Sequence, residues 1–273
     1  MTVASIAEVP VVRAKPSGFF RDLITVAGRA IRAIPREPES FIPALIVPVF
    51  FFVVNTGSLS SITEGVAKAG GQSFDYAAFQ LPVAIIFAVT GISRASALVA
   101  DISDGYFDRL LLTPVKRLTL LLGLMCADFV LVVALTIPVL IMGWIFGVHF
   151  ETGLPGIIVF VLLAAAWGLA FTGFPYAIAL KTGSAAAVNS SFILFFPFAF
   201  LTTAFVPQEA LSGLPKIVAP YNPVTYLLKG LRSVVSAGWV AKDLAEAVAA
   251  VLIVAFLSIG LALLALRSRV RQN

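Results

Sequence analysis

Residues 118–148 read LTLLLGLMCADFVLVVALTIPVLIMGWIFGV, an apolar run interrupted by one charge, Asp128. A bilayer core of about 30 Å is crossed by roughly 20 apolar residues in a helix, and this run exceeds that length. The rest of the chain shares its character: 60% of residues are hydrophobic, 12% are charged, and the mean hydropathy is +1.02. A soluble domain carries about 25% charged residues. Half that charge cannot clothe a water-facing surface, and a chain this apolar is not disordered. Glycine has no period and Cys126 is the single cysteine, so a collagen-like rod and a disulfide scaffold are excluded. An integral membrane protein with several spans remains.

Outward from this run, windows of similar length recur on both sides. Toward the N-terminus lie Ser40–Thr63, which holds Pro43 and Pro48, and Tyr76–Ser93, extended past Arg94 toward Ala100. Toward the C-terminus lie Thr152–Leu180, Thr182–Gln208 and Ala247–Leu266. With 118–148 these make six expected spans. None alternates polar and apolar residues as a membrane β-barrel does, so helices satisfy the backbone in lipid. The expected fold class is an all-α integral membrane protein, one transmembrane domain over residues 1–273. It has six transmembrane helices, an interfacial amphipathic helix before them and short outer re-entrant helices before the last. No cleavable signal peptide is visible, because the first strong apolar run begins near Phe41.

The net charge of +5 flanks the apolar runs, which points to anionic lipid headgroups and away from nucleic acid. With the N-terminus in the cytoplasm, fourteen of the 19 Lys and Arg residues fall on the inner side. Lys68, Lys216, Lys229, Arg232 and Lys242 fall outside. The positive-inside rule therefore places both termini in the cytoplasm.

Residues 18–34, GFFRDLITVAGRAIRAI, place Phe20, Leu23, Ile24, Ala27, Ile31 and Ile34 in one stripe and Arg21, Asp22, Thr25, Arg29 and Arg32 opposite. Pro35 and Pro38 end this helix. It is expected to lie in the cytoplasmic interface, as an anchor or also as a contact for a cytosolic partner.

Residues 101–117, DISDGYFDRLLLTPVKR, form the expected cytoplasmic loop between the second and third spans. Asp104 suits an N-cap and Asp108 the first turn of a short helix over about 105–113, which Pro114 stops. Tyr106, Phe107 and Leu110–Leu112 give it more apolar surface than a solvated loop needs. The membrane interface or a protein partner must cover it.

This loop resembles the cytoplasmic coupling segment of ABC-2 type ABC-transporter permeases, especially the daunorubicin-resistance-like branch. The pattern is D-x-x-x-G-x-x-D-R-L-x-x-T-P-V-x-R, matched by Asp101, Gly105, Asp108, Arg109, Leu110, Thr113, Pro114, Val115 and Arg117. Where many relatives carry Glu and a Gly-Thr pair, this chain has Asp104 and Gly105-Tyr106. Two further stretches resemble the same family in the same order. One is R-D-L…G-R-A…R-E-P-E…P from Arg21 to Pro43. The other runs from Asn189 through Pro197, Phe205, Val206, Pro207, Pro215, Asn222 and Pro223 to Arg232. The resemblance implies a permease subunit of an ATP-binding cassette exporter in a bacterial plasma membrane. It would move a hydrophobic or amphipathic compound, whether drug, antibiotic or lipid-like. It also implies two copies of a separate nucleotide-binding subunit and a second permease chain, identical or homologous. Asp101, Asp104, Gly105, Tyr106, Phe107, Asp108, Arg109, Leu110, Pro114 and Arg117 would then couple to the ATPase.

The chain contains no G-x-x-x-x-G-K-[ST] phosphate loop, so any ATP hydrolysis belongs to another chain. HExxH and GxSxG are also absent, and the one histidine, His149, lies in a short outer turn. No catalytic residue, metal ligand or cofactor site is expected. Within the membrane, Asp128 lies roughly 15 Å into its span at 1.5 Å per residue. An acid at that depth faces a bundle interior or a watery cavity. It is either protonated or partnered by Asn189, Thr136 or Thr172, and either structural or part of a translocation path. The alternative function, an ion-gradient-driven secondary transporter, would use it. Arg94 is expected to snorkel to the inner interface. Phe195, Phe196, Phe198 and Phe200 either pack or line an apolar path. Segment 207–242, too Pro-rich to cross and too apolar for a free loop, is expected as two short helices broken at Tyr221–Pro223. Together with Pro207, Asn222 and Pro223 it forms a lid or a gate.

Overall fold

A computed structural model describes residues 18–36, 38–69, 75–90, 92–106, 109 and 117–272, without the side chains of 38–41, 59–69, 117, 194 and 270–272. The described residues are mainly helical, with no strand among them. α1 (Phe19–Ala33) leads through a 3-10 turn at Ile34–Arg36 into α2 (Pro38–Ala69). α3 (Tyr76–Thr90) and α4 (Ala95–Ser103) are two pieces of one crossing, separated by a break at 92–94. α5 (Arg117–Ile145) and α6 (Gly153–Thr182) are long and continuous. The short α7 (Ala185–Ser190) and α8 (Phe195–Phe200) follow, joined by a 3-10 turn. The segment expected on the outer side holds α9 (Gly213–Val218) and α10 (Pro223–Arg232), followed by α11 (Ala241–Gln272), and the inner and outer ends are named by that expected orientation.

Four stretches among the described residues are long and apolar enough to cross a membrane: Tyr76–Ser103, Leu118–Ile145, Gly153–Thr182 and Ala241–Arg269. They coincide with the expected second, third, fourth and sixth spans, so the chain is a multi-pass membrane protein. The expected first and fifth spans are shorter apolar helices, Ile42–Ser58 and Ala185–Phe200. The fifth departs most from expectation, because the helix does not continue to Gln208. Gly183, at φ +61, ends α6, and the Ser184 hydroxyl accepts the Ala187 N–H to start α7. After Phe200 the backbone bends away. The carbonyls that lose their helical donors there are met from outside, since the Asn222 amide donates to Phe198 O (2.6 Å) and Leu201 O (3.1 Å). Thr202 adds a local turn, donating to Ala199 O and accepting from Ala204 N. The break in the outer segment falls at Asn222, as expected.

Lipid tails are as apolar as leucine, so these helices associate through close packing and buried polar contacts. Gly173 lets α6 and α11 touch backbone to backbone: a Cβ there would meet Ile259 N at 2.7 Å. Beside it the Ser258 hydroxyl donates to Ala170 O. Gly123 does the same for α1, since a Cβ would lie 2.7 Å from Val26 Cβ. Thus α1 presses its Ala27 and Ala30 face onto the inner half of α5, while Phe20 and Ile24 stay exposed. Two apolar cores result. One lies around Trp167, Ile85 and Leu227, and a smaller one around Tyr176, Leu98 and Leu124 joins α1, α4, α5, α6 and α11.

Candidate functional site

At the inner end, one ion pair joins α1 to the expected coupling segment. Arg29 lies 2.5 Å from Asp101, and its guanidinium sits 4.2 Å above the Tyr106 ring. Helical spacing permits this, because Arg29 follows the buried Ala27 and precedes the buried Ala30 on a helix seated against α5. Asp104 closes α4: its N–H donates to Ala100 O, and Gly105 follows at φ +67. The expected N-cap residue thus first serves as the C-cap of the preceding helix. Helical geometry resumes at Tyr106, and the Arg109 N–H reaches Gly105 O at 3.2 Å. Phe107, Asp108, Leu110 and Pro114 lie outside the described residues, and Arg117 opens α5.

Deeper in, Asp128 is fully buried and takes two hydrogen bonds, from the Arg94 backbone N–H at 2.7 Å and from the Tyr176 hydroxyl at 2.6 Å. None of the three expected partners supplies them. Thr136 and Thr172 donate to the carbonyls of Val133 and Leu169 on their own helices, and Asn189 accepts from Ser96 at 3.0 Å. Arg94 occupies the N-cap position of α4, where its own side chain makes no cap. The carboxylate of α5 therefore caps α4 from outside and ties both helices to α6. Arg94 itself is buried rather than snorkelling.

Between α2, α3 and the α7–α8 pair runs an apolar groove of about 480 Å³. Phe51 on α2, Phe87 on α3 and Phe196 and Phe200 on α8 form its walls, with Asn55, Gln80, Ser93 and the hydrogen-bonded pair Ser96 and Asn189 as its polar points. Phe87 stands edge-on to Phe195, Phe196 and Phe200 at centroid distances of 5.3, 6.2 and 6.4 Å. The Gln80 carbonyl oxygen is buried with no hydrogen-bond partner among the described residues. Of the expected path residues, Asn189 and Phe196 line this groove, Phe195 packs behind it, and Asp128 is not part of its wall.

At the outer end, Asn222 caps α10 by accepting the Val224 N–H while its amide holds the unwound end of α8. Pro207 precedes the 3-10 turn at Gln208–Ala210, and Pro223 occupies the first turn of α10. Arg232, which sequence reasoning noted without a role, does more. It donates to Phe79 O (3.1 Å), Thr203 Oγ1 (3.1 Å) and Ala204 O (3.3 Å), and stacks 3.4 Å above the Phe79 ring. It thereby joins α10, α3 and the bent 201–206 segment. The one available signal was a pair of cations, Lys229 and Arg232, at the end of a largely apolar helix. Lys229 pins α10 to α11 through Asp243 (2.9 Å) and Glu246 (3.2 Å), and the hydrogen bond it donates to Asp243 raises its pKa above the ordinary lysine value.

The described architecture is a multi-pass helical bundle in which the amphipathic α1 is paired with the segment that follows the Tyr76–Ser103 crossing. The ABC-2 type transporter family matches residues 21–235, and the chain belongs to that family, as a membrane subunit of the ABC transporter type that is not itself the catalytic one. It is similar to the daunorubicin resistance ABC transporter permease protein DrrB1 of Streptomyces coeruleorubidus. The two are 23% identical over 210 residues, spanning 74% of this chain and 71% of that protein.

Proposed function

We propose that the chain exports hydrophobic or amphipathic compounds, drug or antibiotic-like, across a bacterial plasma membrane, driven by ATP hydrolysis in a separate subunit. The observation that carries this reading is the groove between α2, α3 and α8: phenylalanine walls with a few polar points suit an apolar body bearing one or two polar groups. The similarity to a daunorubicin resistance permease supports the same class of cargo. In this reading α2 and the α7–α8 pair complete six crossings, both termini are cytoplasmic, and a second permease chain faces the groove.

Two nucleotide-binding subunits dock on 101–117 and α1. Their closure moves Tyr106 and Asp101, and through Arg29 moves α1 on α5. The bundle then rocks about its packed glycine contacts, and the groove changes sides. An ion-gradient mechanism through Asp128 is less well supported, because both carboxylate oxygens are already engaged within the bundle.

The test is reconstitution in proteoliposomes with and without a P-loop ATPase subunit, with daunorubicin as probe. ATP-dependent accumulation is expected only with both chains. Uphill transport by this chain alone overturns the reading. Gln80→Leu should lower daunorubicin affinity about tenfold, the worth of one buried hydrogen bond.

A further inference from the structure

The inner end of the bundle holds a second cavity, of about 740 Å³, between α1 and the α4–α5 pair. Arg29, Arg32 and Arg36 reach it from one side of α1 and its 3-10 extension, at spacings of three and four that stack side chains on one helix face. Arg94 enters from the opposite wall at the N-cap of α4. Four arginines thus line one space. Among the described lining residues Asp101 is the one carboxylate, and it is committed to Arg29; Asp128 lies behind Arg94 on the far side. Even with both acids ionised, the four described arginines carry the larger charge. The remaining wall is small and apolar, with Ala30, Ala97 and Leu124.

Guanidinium clusters in a partly enclosed space favour a multivalent oxyanion, and the forked donors of arginine match phosphate oxygens in pairs. The depth of the cavity narrows the ligand further. Phe20 and Ile24, 75% and 71% exposed on the same helix, place α1 in the membrane interface. The cavity then opens where lipid phosphates lie.

We propose that this cleft binds a phosphate ester, supplied by the headgroup of an anionic inner-leaflet lipid or by a free phosphate compound. Arg32 and Arg36 are its exposed jaws, and Arg29 shares its charge between the phosphate and Asp101. The ligand therefore sits at the joint between α1 and the 101–106 segment. The site stands on its own geometry and does not depend on the identity of the cargo.

The experiment is native mass spectrometry of the full chain in detergent, titrated with palmitoyl-oleoyl phosphatidylglycerol or phosphatidylcholine. Wild type is expected to retain the phosphatidylglycerol about tenfold better, and Arg32→Gln/Arg36→Gln to lose that preference, as removal of two charge-assisted contacts requires. Arg32→Lys/Arg36→Lys should recover part of it. Lys181→Gln/Arg267→Gln, which removes two inner-side charges outside the cleft, should keep it. Competition with millimolar glycerol 1-phosphate separates the sources. Displacement assigns a soluble phosphate ester, and persistence assigns the lipid headgroup. Equal retention by the wild type and Arg32→Gln/Arg36→Gln, or equal loss in Lys181→Gln/Arg267→Gln, overturns the proposal.

Discussion

The Arg94 backbone N–H donates to the Asp128 carboxylate at 2.7 Å, so a side chain on one membrane helix caps the broken start of another. A helix interrupted inside lipid exposes N–H groups that water cannot reach. Asp128 meets one of them and anchors its second oxygen on Tyr176. The break between α3 and α4 is therefore built into the bundle.

Asp128→Ala should destabilise the chain strongly, because it leaves both the Arg94 N–H and the Tyr176 hydroxyl buried without this acceptor. Each unsatisfied group costs about 1–3 kcal/mol. Asp128→Asn keeps an acceptor for Arg94 and offers its amide to the Tyr176 oxygen, so it should fold and transport nearly as wild type. The check is thermal melting in detergent alongside drug efflux. Normal melting with abolished efflux in Asp128→Asn would instead favour ion coupling through this residue.

Arg29 and Asp101 test the inner linkage. The pair is half exposed, with side-chain exposures of 49% and 23%, so its loss should change stability by no more than about 1 kcal/mol. Under the proposed coupling, transport should respond far more, because this contact ties α1 to the 101–106 segment. Arg29→Asp and Asp101→Arg should each reduce ATP-dependent efflux about tenfold or more, and their combination should restore much of it. Efflux that stays normal in both single variants would remove α1 from the drive train.

The sequence made the long crossings legible because length and composition alone define them: 118–148 and 152–180 correspond to α5 and α6. The helix stop at Pro35 and the break at Asn222 were legible from local chemistry. Other features were not. Window 182–208 is free of charge like 152–180, yet its helix ends at Phe200, where Asn222, far along the chain, meets its carbonyls. The partner of Asp128 was equally hidden. A tyrosine and a backbone N–H supplied the bonds, whereas composition drew attention to Asn189. In lipid every helix face is apolar, so periodicity cannot say which polar groups meet. Cys126 shows the same blindness: it sits inside the apolar 118–148 run and lies exposed on the bundle.

Gly173 tests the α6–α11 contact. Gly173→Ala puts a methyl group against the Ser258–Ile259 backbone, where no flexible side chain can yield. Overpacking of this kind costs about 1–3 kcal/mol, and here it also displaces the last crossing. Melting temperature and membrane yield should both fall. Ser258→Ala, which loses one hydrogen bond to Ala170 and keeps the packing, should cost about 1 kcal/mol. A Gly173→Ala variant as stable as wild type would mean that the two backbones do not approach this closely.

Asn222 makes three hydrogen bonds with two kinds of chemistry, and its variants separate them. Asn222→Ala loses the cap of α10, worth about 1 kcal/mol, and also abandons the carbonyls of Phe198 and Leu201. Asn222→Asp keeps the cap for Val224 N–H but turns a donor into an acceptor facing two carbonyl oxygens. If the amide holds the end of α8, Asn222→Asp should be at least as damaging as Asn222→Ala in melting experiments. If capping alone matters, Asn222→Asp should match wild type.

Arg232 joins three elements at the outer end with one planar group, and that geometry sets the last prediction. Its guanidinium donates to Phe79 O, Thr203 Oγ1 and Ala204 O while stacking on the Phe79 ring. Lysine has neither the fork nor the flat face, so Arg232→Lys keeps the charge and loses most of the joint. α10 remains pinned to α11 through Lys229 and its two carboxylates. The slack therefore falls on the other side, between α10 and the bent 201–206 segment at the outer mouth of the groove. Accessibility of a cysteine placed at Ala204, a buried position that meets Arg232 through its backbone carbonyl, to a membrane-impermeant maleimide should rise several-fold in Arg232→Lys while the inner end stays unchanged. Basal leak of daunorubicin should rise with it. Unchanged labelling at 204 would show that Arg232 stabilises the fold without holding the outer mouth closed.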